Sequence, residues 1–211
     1  PPPPPTHPPT TPTPTHPLSS AASDVYKRQW QSSQIVTMAI EADGSLGQPV
    51  ATDASAVGPF GFDFRADGVA LVSDDDPDVA PDGASTYRID DAGVAVPISP
   101  QTKNDGDGSC WATFNPSGNL GYIANFDSDS LTGLAIGSDG AIEDVIIELD
   151  LPEGTQPRDL QVSGDGQYLY VLGFGKGQML TFTIDDSGEI ESTDTAENLP
   201  PSSTGLVNID I

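Results

Sequence analysis

The chain has 211 residues, with 7 Lys and Arg against 32 Asp and Glu, which gives a formal net charge of −25. This charge excludes nucleic-acid binding driven by phosphate neutralisation and argues against attachment to an anionic membrane, so we expect neither partner. The single cysteine, Cys110, excludes an intramolecular disulfide framework, and no apolar run is long enough to span a bilayer.

The first 29 residues differ from the rest in composition. Residues 1–17 are a proline and threonine tract that contains both histidines, and such a tract predicts polyproline II or disorder. A stalk or a metal-binding tract are the alternatives. Residues 19–29, SSAASDVYKRQ, match the translation of a transposase adapter used for sequencing libraries. We therefore interpret residues 1–29 as non-native and disordered, and residues 30–211 as the domain.

Residues 30–211 are more acidic than the whole chain. They contain 5 basic and 31 acidic residues, a charge of −26, and no histidine, which excludes imidazole catalysis. A surface rich in Asp and poor in Lys indicates a saline habitat or an exported protein, because salt screens its self-repulsion. We expect an extracellular or periplasmic location, with the cytoplasm as the alternative.

Glycine turns recur about every 48 residues along this domain, between short apolar or alternating runs, which is the hairpin pattern. The turn glycines form two interleaved series. One consists of Gly44, Gly93, Gly140 and Gly188, and the other of Gly68, Gly118 and Gly166.

Three segments are each predicted to form four antiparallel strands, the outermost being the most polar: residues 58–97, 108–154 and 155–198. Such repeats are typical of a β-propeller, whereas a β-sandwich would not need matching turns. We predict an all-β fold without helices.

Three strings resemble the lactonase-type seven-bladed β-propeller family, which includes 6-phosphogluconolactonases and carboxymuconate-lactonizing enzymes. They are residues 58–64 (GPFGFDF), 109–118 (SCWATFNPSG) and 159–172 (DLQVSGDGQYLYVL). The resemblance covers residues 30–211 and implies a partial propeller of about four of the seven blades. It also implies outer strands of a preceding blade at residues 30–46 and an inner strand at residues 203–211.

The chain is therefore expected to be the C-terminal part of a ring that N-terminal blades normally complete. An open ring leaves blade faces unburied, so we expect residues 30–211 to aggregate or oligomerise. The resemblance implies hydrolysis of a sugar lactone or carboxylated lactone, without a required cofactor. The alternative is a non-enzymatic exported acidic propeller that binds ligands or protein partners.

Three of the five basic residues fall in loops that a propeller places on one rim: Lys103, Arg158 and Lys176. Three cations on an acidic rim predict binding of a carboxylate or phosphate. The alternative is that each cation pairs with a nearby Asp. Lactone hydrolysis needs an oxyanion stabiliser and a group that activates water. Arg158 and Asp159 offer these functions, unless they only pair with each other. The phosphogluconolactonase branch resembles Pro-Arg-His here, so the Asp departs from that pattern.

Three further groups of residues have a functional and a structural interpretation. Phe60 and Trp111 begin inner strands, where they form a stacking surface for a bound ligand at the channel mouth or pack between blades. Cys110 has no neighbouring base and is interpreted as a small buried hydrophobe. Asp74, Asp76 and Asp78 supply oxygen ligands suited to Ca²⁺ but lack EF-hand spacing, so the alternative is a solvated acidic loop.

Overall fold

The computed structural model describes residues 33–76, 78, 81–200 and 203–207. These residues form fourteen β-strands in four antiparallel sheets, and they contain no helix. None of them therefore forms a helical membrane span. Residues 1–29, with the adapter-like segment and both histidines, lie outside the described part of the chain.

The first sheet has two strands, and each of the other three has four consecutive strands. We call the four-stranded sheets the first, second and third blades. The strands are β1 (Gln34–Thr37) and β2 (Val50–Asp53); β3 (Pro59–Phe64), β4 (Val69–Asp74), β5 (Gly83–Ile89) and β6 (Ala95–Lys103) in the first blade; β7 (Ser109–Phe114), β8 (Leu120–Asn125), β9 (Ser130–Ile136) and β10 (Ile142–Asp150) in the second; and β11 (Pro157–Val162), β12 (Tyr168–Gly173), β13 (Gln178–Ile184) and β14 (Ile190–Ala196) in the third. The predicted partial β-propeller of four-stranded blades is confirmed, with three complete blades and one two-stranded sheet.

Both series of predicted glycine turns close hairpins in this structure. In the β3–β4 turn Gly68 has φ +86°, and its N–H donates to the Arg65 carbonyl at 2.9 Å. The other six turn glycines also have φ between 70° and 93°. Only glycine adopts this conformation without steric cost, which explains why it recurs at these positions.

Apolar side chains form layers between neighbouring sheets. The largest cluster joins Leu120 and Tyr122 of the second blade to Leu160 and Leu169 of the third. Burying a side chain of this size stabilises the fold by about 1.5–3 kcal/mol. The outermost strand β14 is exposed over six of its seven residues, as expected from its polarity. The core therefore consists of blade-to-blade contacts.

The inner strands β3, β7 and β11 lie side by side. A Cβ on Gly61 would come within 2.5 Å of the Cys110 carbonyl oxygen, so this approach requires glycine. At the other end, the Thr113 hydroxyl donates to Asp63 Oδ2 at 3.1 Å, which links β7 to β3. These contacts fix the spacing of β3 and β7, and Gln161 Nε2 of β11 donates to the Thr113 hydroxyl of β7 at 3.4 Å.

The described part of the C-terminal segment differs from the sequence expectation. Residues 203–207 carry no strand, and residues 208–211 lie outside the described part. A strand requires a neighbouring ladder, and no described strand pairs with this segment. It nevertheless lies against β11, because the Leu206 N–H donates to Asp159 Oδ2 at 2.9 Å.

Candidate functional site

The predicted rim forms at one end of the blades. In each blade, the first residue after the second strand donates its N–H to the loop that enters the inner strand. The pairs are Asp75 to Gly58 at 2.8 Å, Phe126 to Gly108 at 2.8 Å and Phe174 to Gln156 at 3.1 Å. The two loops that the sequence assigned to this rim therefore meet in every blade.

A β-bulge interrupts each inner strand just inside the rim. The extra residue is Cys110 in β7 and Arg158 in β11, and β3 has the same irregularity between Pro59 and Phe62. Bulges commonly re-aim side chains near binding sites. Here the bulged residues line a single cleft at the end of the inner strands.

This cleft has a volume of about 340 Å³. Four residues singled out from the sequence line it together: Phe60, Trp111, Arg158 and Asp159. Cys110 and residues 204–206 complete its wall. Trp111 also packs against the core between the second and third blades.

Arg158 is the rim cation that lines the cleft. Its guanidinium carbon lies 4.7 Å from the centroid of the Phe174 ring, and within the described residues it forms no ion pair. Lys103 Nζ instead donates to the Pro81 carbonyl at 2.8 Å, and Lys176 Nζ donates to the Pro152 carbonyl at 3.4 Å. The structure therefore does not bring the three rim cations together.

Asp159 is 6% exposed and does not pair with Arg158. Its carboxylate accepts the N–H of Leu206 at 2.9 Å and further backbone bonds from Leu160 and Gly205. Burial raises the pKa of Asp159 above its usual range, although the backbone bonds oppose this effect. A buried carboxylate with a raised pKa beside a cation is the type of group that acts as a general base.

Cys110 behaves as the small buried hydrophobe that the sequence predicts. Burial raises the pKa of its thiol to about 12, and the cation of Arg158 only partly opposes this. The thiolate is the reactive form of cysteine, so Cys110 is inert at neutral pH. Cys110 therefore forms part of the cleft wall as a small apolar side chain.

The described residues of the acidic loop after β4 do not form a grouped set of metal ligands. Among the described residues, no three His, Cys, Asp or Glu side chains are grouped so that they could hold a metal ion. Asp74 is fully buried and accepts from the Ser85 hydroxyl at 3.0 Å, whereas Asp76 accepts the N–H of Asp78. The predicted calcium ligands therefore have separate roles, because Asp74 belongs to the strand and the other two to the loop.

The structure shows two roles on the rim that the sequence did not predict. Asp82 is fully buried, and its carboxylate accepts the N–H groups of Asp76, Gly108 and Ser109 at 2.7–3.1 Å. The aromatic ring of Phe174 beneath Arg158 was also not identified. Its equivalence to Phe126 in the repeat, one residue beyond the second strand, is the signal that would have indicated it.

Comparison with solved structures identifies several proteins of similar fold. The periplasmic gluconolactonase of Pseudomonas aeruginosa matches at 17% identity and TM-score 0.63, over 82% of this chain and 51% of that protein. A "putative 6-phosphogluconolactonase" of Bacteroides uniformis matches at 16% identity and TM-score 0.65, over 78% and 50%. Hydrazine synthase of Kuenenia stuttgartiensis matches at 13% identity and TM-score 0.57, over 72% and 47%.

These matches show the fold alone, because their identities are low and their chemistries differ. This chain spans about half the length of the structures that it matches. No family model and no curated protein matches the sequence.

Proposed function

We propose that this chain carries the substrate cleft of a lactone-hydrolysing β-propeller that acts on a sugar lactone or carboxylated lactone. The observation that carries the proposal is the placement of Arg158 and Asp159 in one cleft without pairing to each other. Similarity to two proteins named as lactonases supports this reaction class. An exported location is part of the same proposal, since one of these proteins is named periplasmic.

The reaction assigns one role to each residue. Asp159 takes a proton from water as the water oxygen attacks the lactone carbonyl carbon. The guanidinium N–H groups of Arg158 hold the oxyanion that forms on the carbonyl oxygen. When the intermediate collapses, the ring C–O bond breaks, and the proton on Asp159 passes to the leaving ring oxygen. The product is the open-chain hydroxy acid, and no metal is needed.

The aromatic wall of the cleft suits the rest of such a ligand. Phe60 and Trp111 present apolar ring surface beside the charged pair. Apolar walls with a few polar groups are typical of small-molecule sites. Further blades, which we propose to belong to the whole protein, would add the remaining part of the rim.

The second candidate function is ligand binding without hydrolysis. The hydrogen bonds of Asp159 favour it. Its carboxylate accepts backbone N–H groups from the C-terminal segment and from its own strand. A carboxylate used in this way holds a segment in place. In that case Arg158 binds an anion and nothing is hydrolysed.

The two candidates are separated by Asp159→Asn, which keeps the side-chain shape and an oxygen that accepts from Leu206. In the full chain, a general base predicts that kcat on glucono-1,5-lactone falls about 10²- to 10⁴-fold. Arg158→Gln should lower kcat/KM, whereas Arg88→Gln, which removes an exposed arginine paired with Asp67, should not. An unchanged kcat in Asp159→Asn, with an unchanged melting curve, would contradict a general base at Asp159. Binding alone predicts instead that the folded wild-type chain binds an anion at Arg158 and shows no turnover.

The pH profile provides an independent test of the same role. Because burial raises the pKa of Asp159 above 3.8, the acid limb of kcat/KM should lie above that value. The limb should disappear in Asp159→Asn. An acid limb that is the same in both proteins would contradict a general base at Asp159.

A further inference from the structure

The guanidinium of Arg158 lies over one aromatic ring, and a second ring from the neighbouring blade packs against the first. It lies 4.7 Å from the centroid of Phe174, in the loop between β12 and β13. The Phe174 ring is backed by Phe126, in the loop between β8 and β9, with 6.1 Å between centroids and an interplanar angle of 46°. We call Phe126 and Phe174 the aromatic platform.

The backbone around the platform is fixed by the entering loops. The Phe174 N–H donates to the Gln156 carbonyl at 3.1 Å, and the N–H of Gly175 donates to the Thr155 carbonyl at 3.0 Å. A Cβ on Gly175 would lie 2.3 Å from the Gly154 carbonyl oxygen, so the two loops are in close contact. The ring of Phe174 is therefore held next to the bulge that presents Arg158.

An aromatic support differs chemically from a carboxylate partner. The other two arginines among the described residues, Arg65 and Arg88, lie within ion-pair distance of Asp67. A ring face attracts a guanidinium without neutralising its charge or occupying all of its N–H donors. In a chain of net charge −25, such a support leaves a cation available to an incoming anion.

We propose that Phe174, backed by Phe126, is a positioning residue that holds the Arg158 guanidinium in the cleft, where it meets negative charge on the ligand. This inference rests on the proposed function only in taking that charge to be the oxyanion that forms on the lactone carbonyl, and inorganic phosphate is the anion that probes the same guanidinium. The platform acts by pre-organising the guanidinium, which reduces the ordering cost of binding.

The experiment compares Phe174→Leu, Phe174→Tyr and the wild-type full chain, with inorganic phosphate as the probe in calorimetric titrations. We expect Phe174→Leu to bind phosphate about 3- to 30-fold more weakly, because the cation–π support is lost. Phe174→Tyr keeps the ring and should remain within about twofold of wild type. Phe64→Leu is the matched control, since Phe64 is a half-buried member of another aromatic pair that lies near no cleft cation.

A spectroscopic readout in the wild-type protein does not depend on how the variants fold. The sequence has four arginines, so their Nε–Hε signals are separable after arginine-selective ¹⁵N labelling. The ring current of Phe174 should shift the Arg158 signal relative to that of the exposed Arg88, and phosphate should move the Arg158 signal alone. The ring-current shift tests the stacked geometry, and the phosphate response tests whether the stacked guanidinium binds an anion.

Three results would overturn the inference. They are an unshifted Arg158 signal in the wild type, no response of that signal to phosphate, and equal phosphate affinity in Phe174→Leu and wild type. Failure of the proposed function is a different result, in which the wild type binds phosphate at Arg158 but hydrolyses no lactone.

Discussion

Asn125 and Asp74 occupy equivalent positions at the end of the second strand in adjacent blades, but they have different hydrogen-bond partners. Asn125 is fully buried and has partners on both side-chain atoms. Its Oδ1 accepts from the Ser109 hydroxyl at 2.9 Å, and its Nδ2 donates to Ser130 at 3.1 Å and to Thr132 at 2.9 Å. The second blade thus satisfies its buried polar group.

The first blade lacks two of these partners. Pro59 and Gly83 pair with Asp74 where Ser109 and Ser130 pair with Asn125, and neither carries a side-chain hydroxyl. Ser85 is left as the partner of Oδ1, and Oδ2 has no partner within the described residues. Burial raises the pKa of Asp74 to about 8, so this carboxyl is protonated at neutral pH.

Asp74→Asn should therefore stabilise the chain at alkaline pH. Between pH 3.8 and about 8 the unfolded chain has released the Asp74 proton and the folded chain has not, so the free energy of unfolding falls as pH rises. The amide removes this dependence and should raise the free energy of unfolding by about 1–3 kcal/mol at pH 8. Urea denaturation at pH 5 and pH 8 measures it. Asp78→Asn, an exposed position in the same loop, is the control, and an equal gain there would contradict burial as the cause.

At the scale of elements, the strands follow from the sequence because their signals are local. Each hairpin is indicated by a turn glycine at positive φ and by the alternating apolar residues on either side of it. These residues lie within about ten positions of each other, so the hairpin can be predicted without knowledge of tertiary contacts. The bulge at Arg158 was not predicted, because it depends on pairing between β11 and β12. The Arg158 side chain lines the cleft from this bulge.

The loops of the rim depend on Asp82, which joins the loop after β4 to the loop before β7. Asp82→Ala leaves the N–H groups of Gly108 and Ser109 without their acceptor, at about 1–3 kcal/mol for each unpaired group. We expect a loss of at least about 2 kcal/mol in urea denaturation, with faster amide exchange at both residues. Asp82→Asn keeps one acceptor oxygen and should lose less. Equal stability of Asp82→Ala and wild type would show that water replaces the carboxylate.

At the scale of the whole molecule, the charge of −25 is the dominant property. Self-repulsion of this size opposes the compact state. The screening length falls from about 10 Å at 0.1 M salt to about 3 Å at 1 M. We therefore expect the free energy of unfolding to rise with salt concentration.

Thermal unfolding of the full chain should move to higher temperature between 0.1 and 1 M NaCl at pH 7. If screening removes about 2 kcal/mol of repulsion, Tm rises by about 4–8 °C, at 2–4 °C per kcal/mol for a domain of this size. Calorimetry at pH 4, where many carboxylates are protonated, provides the control and should show a smaller shift. A Tm that is independent of salt at pH 7 would contradict repulsion as a limit on stability.

The sequence by itself determined the repeat, the turn positions, the strand order within blades, the acidity and the lack of histidine after residue 29. These properties depend on composition or on neighbours along the chain. The tertiary structure decided which rim cation enters the cleft, and it separated Arg158 from Asp159 while stacking it on Phe174. Those outcomes arise from the bulges of adjacent strands and from loops that meet across blades, which no local pattern encodes.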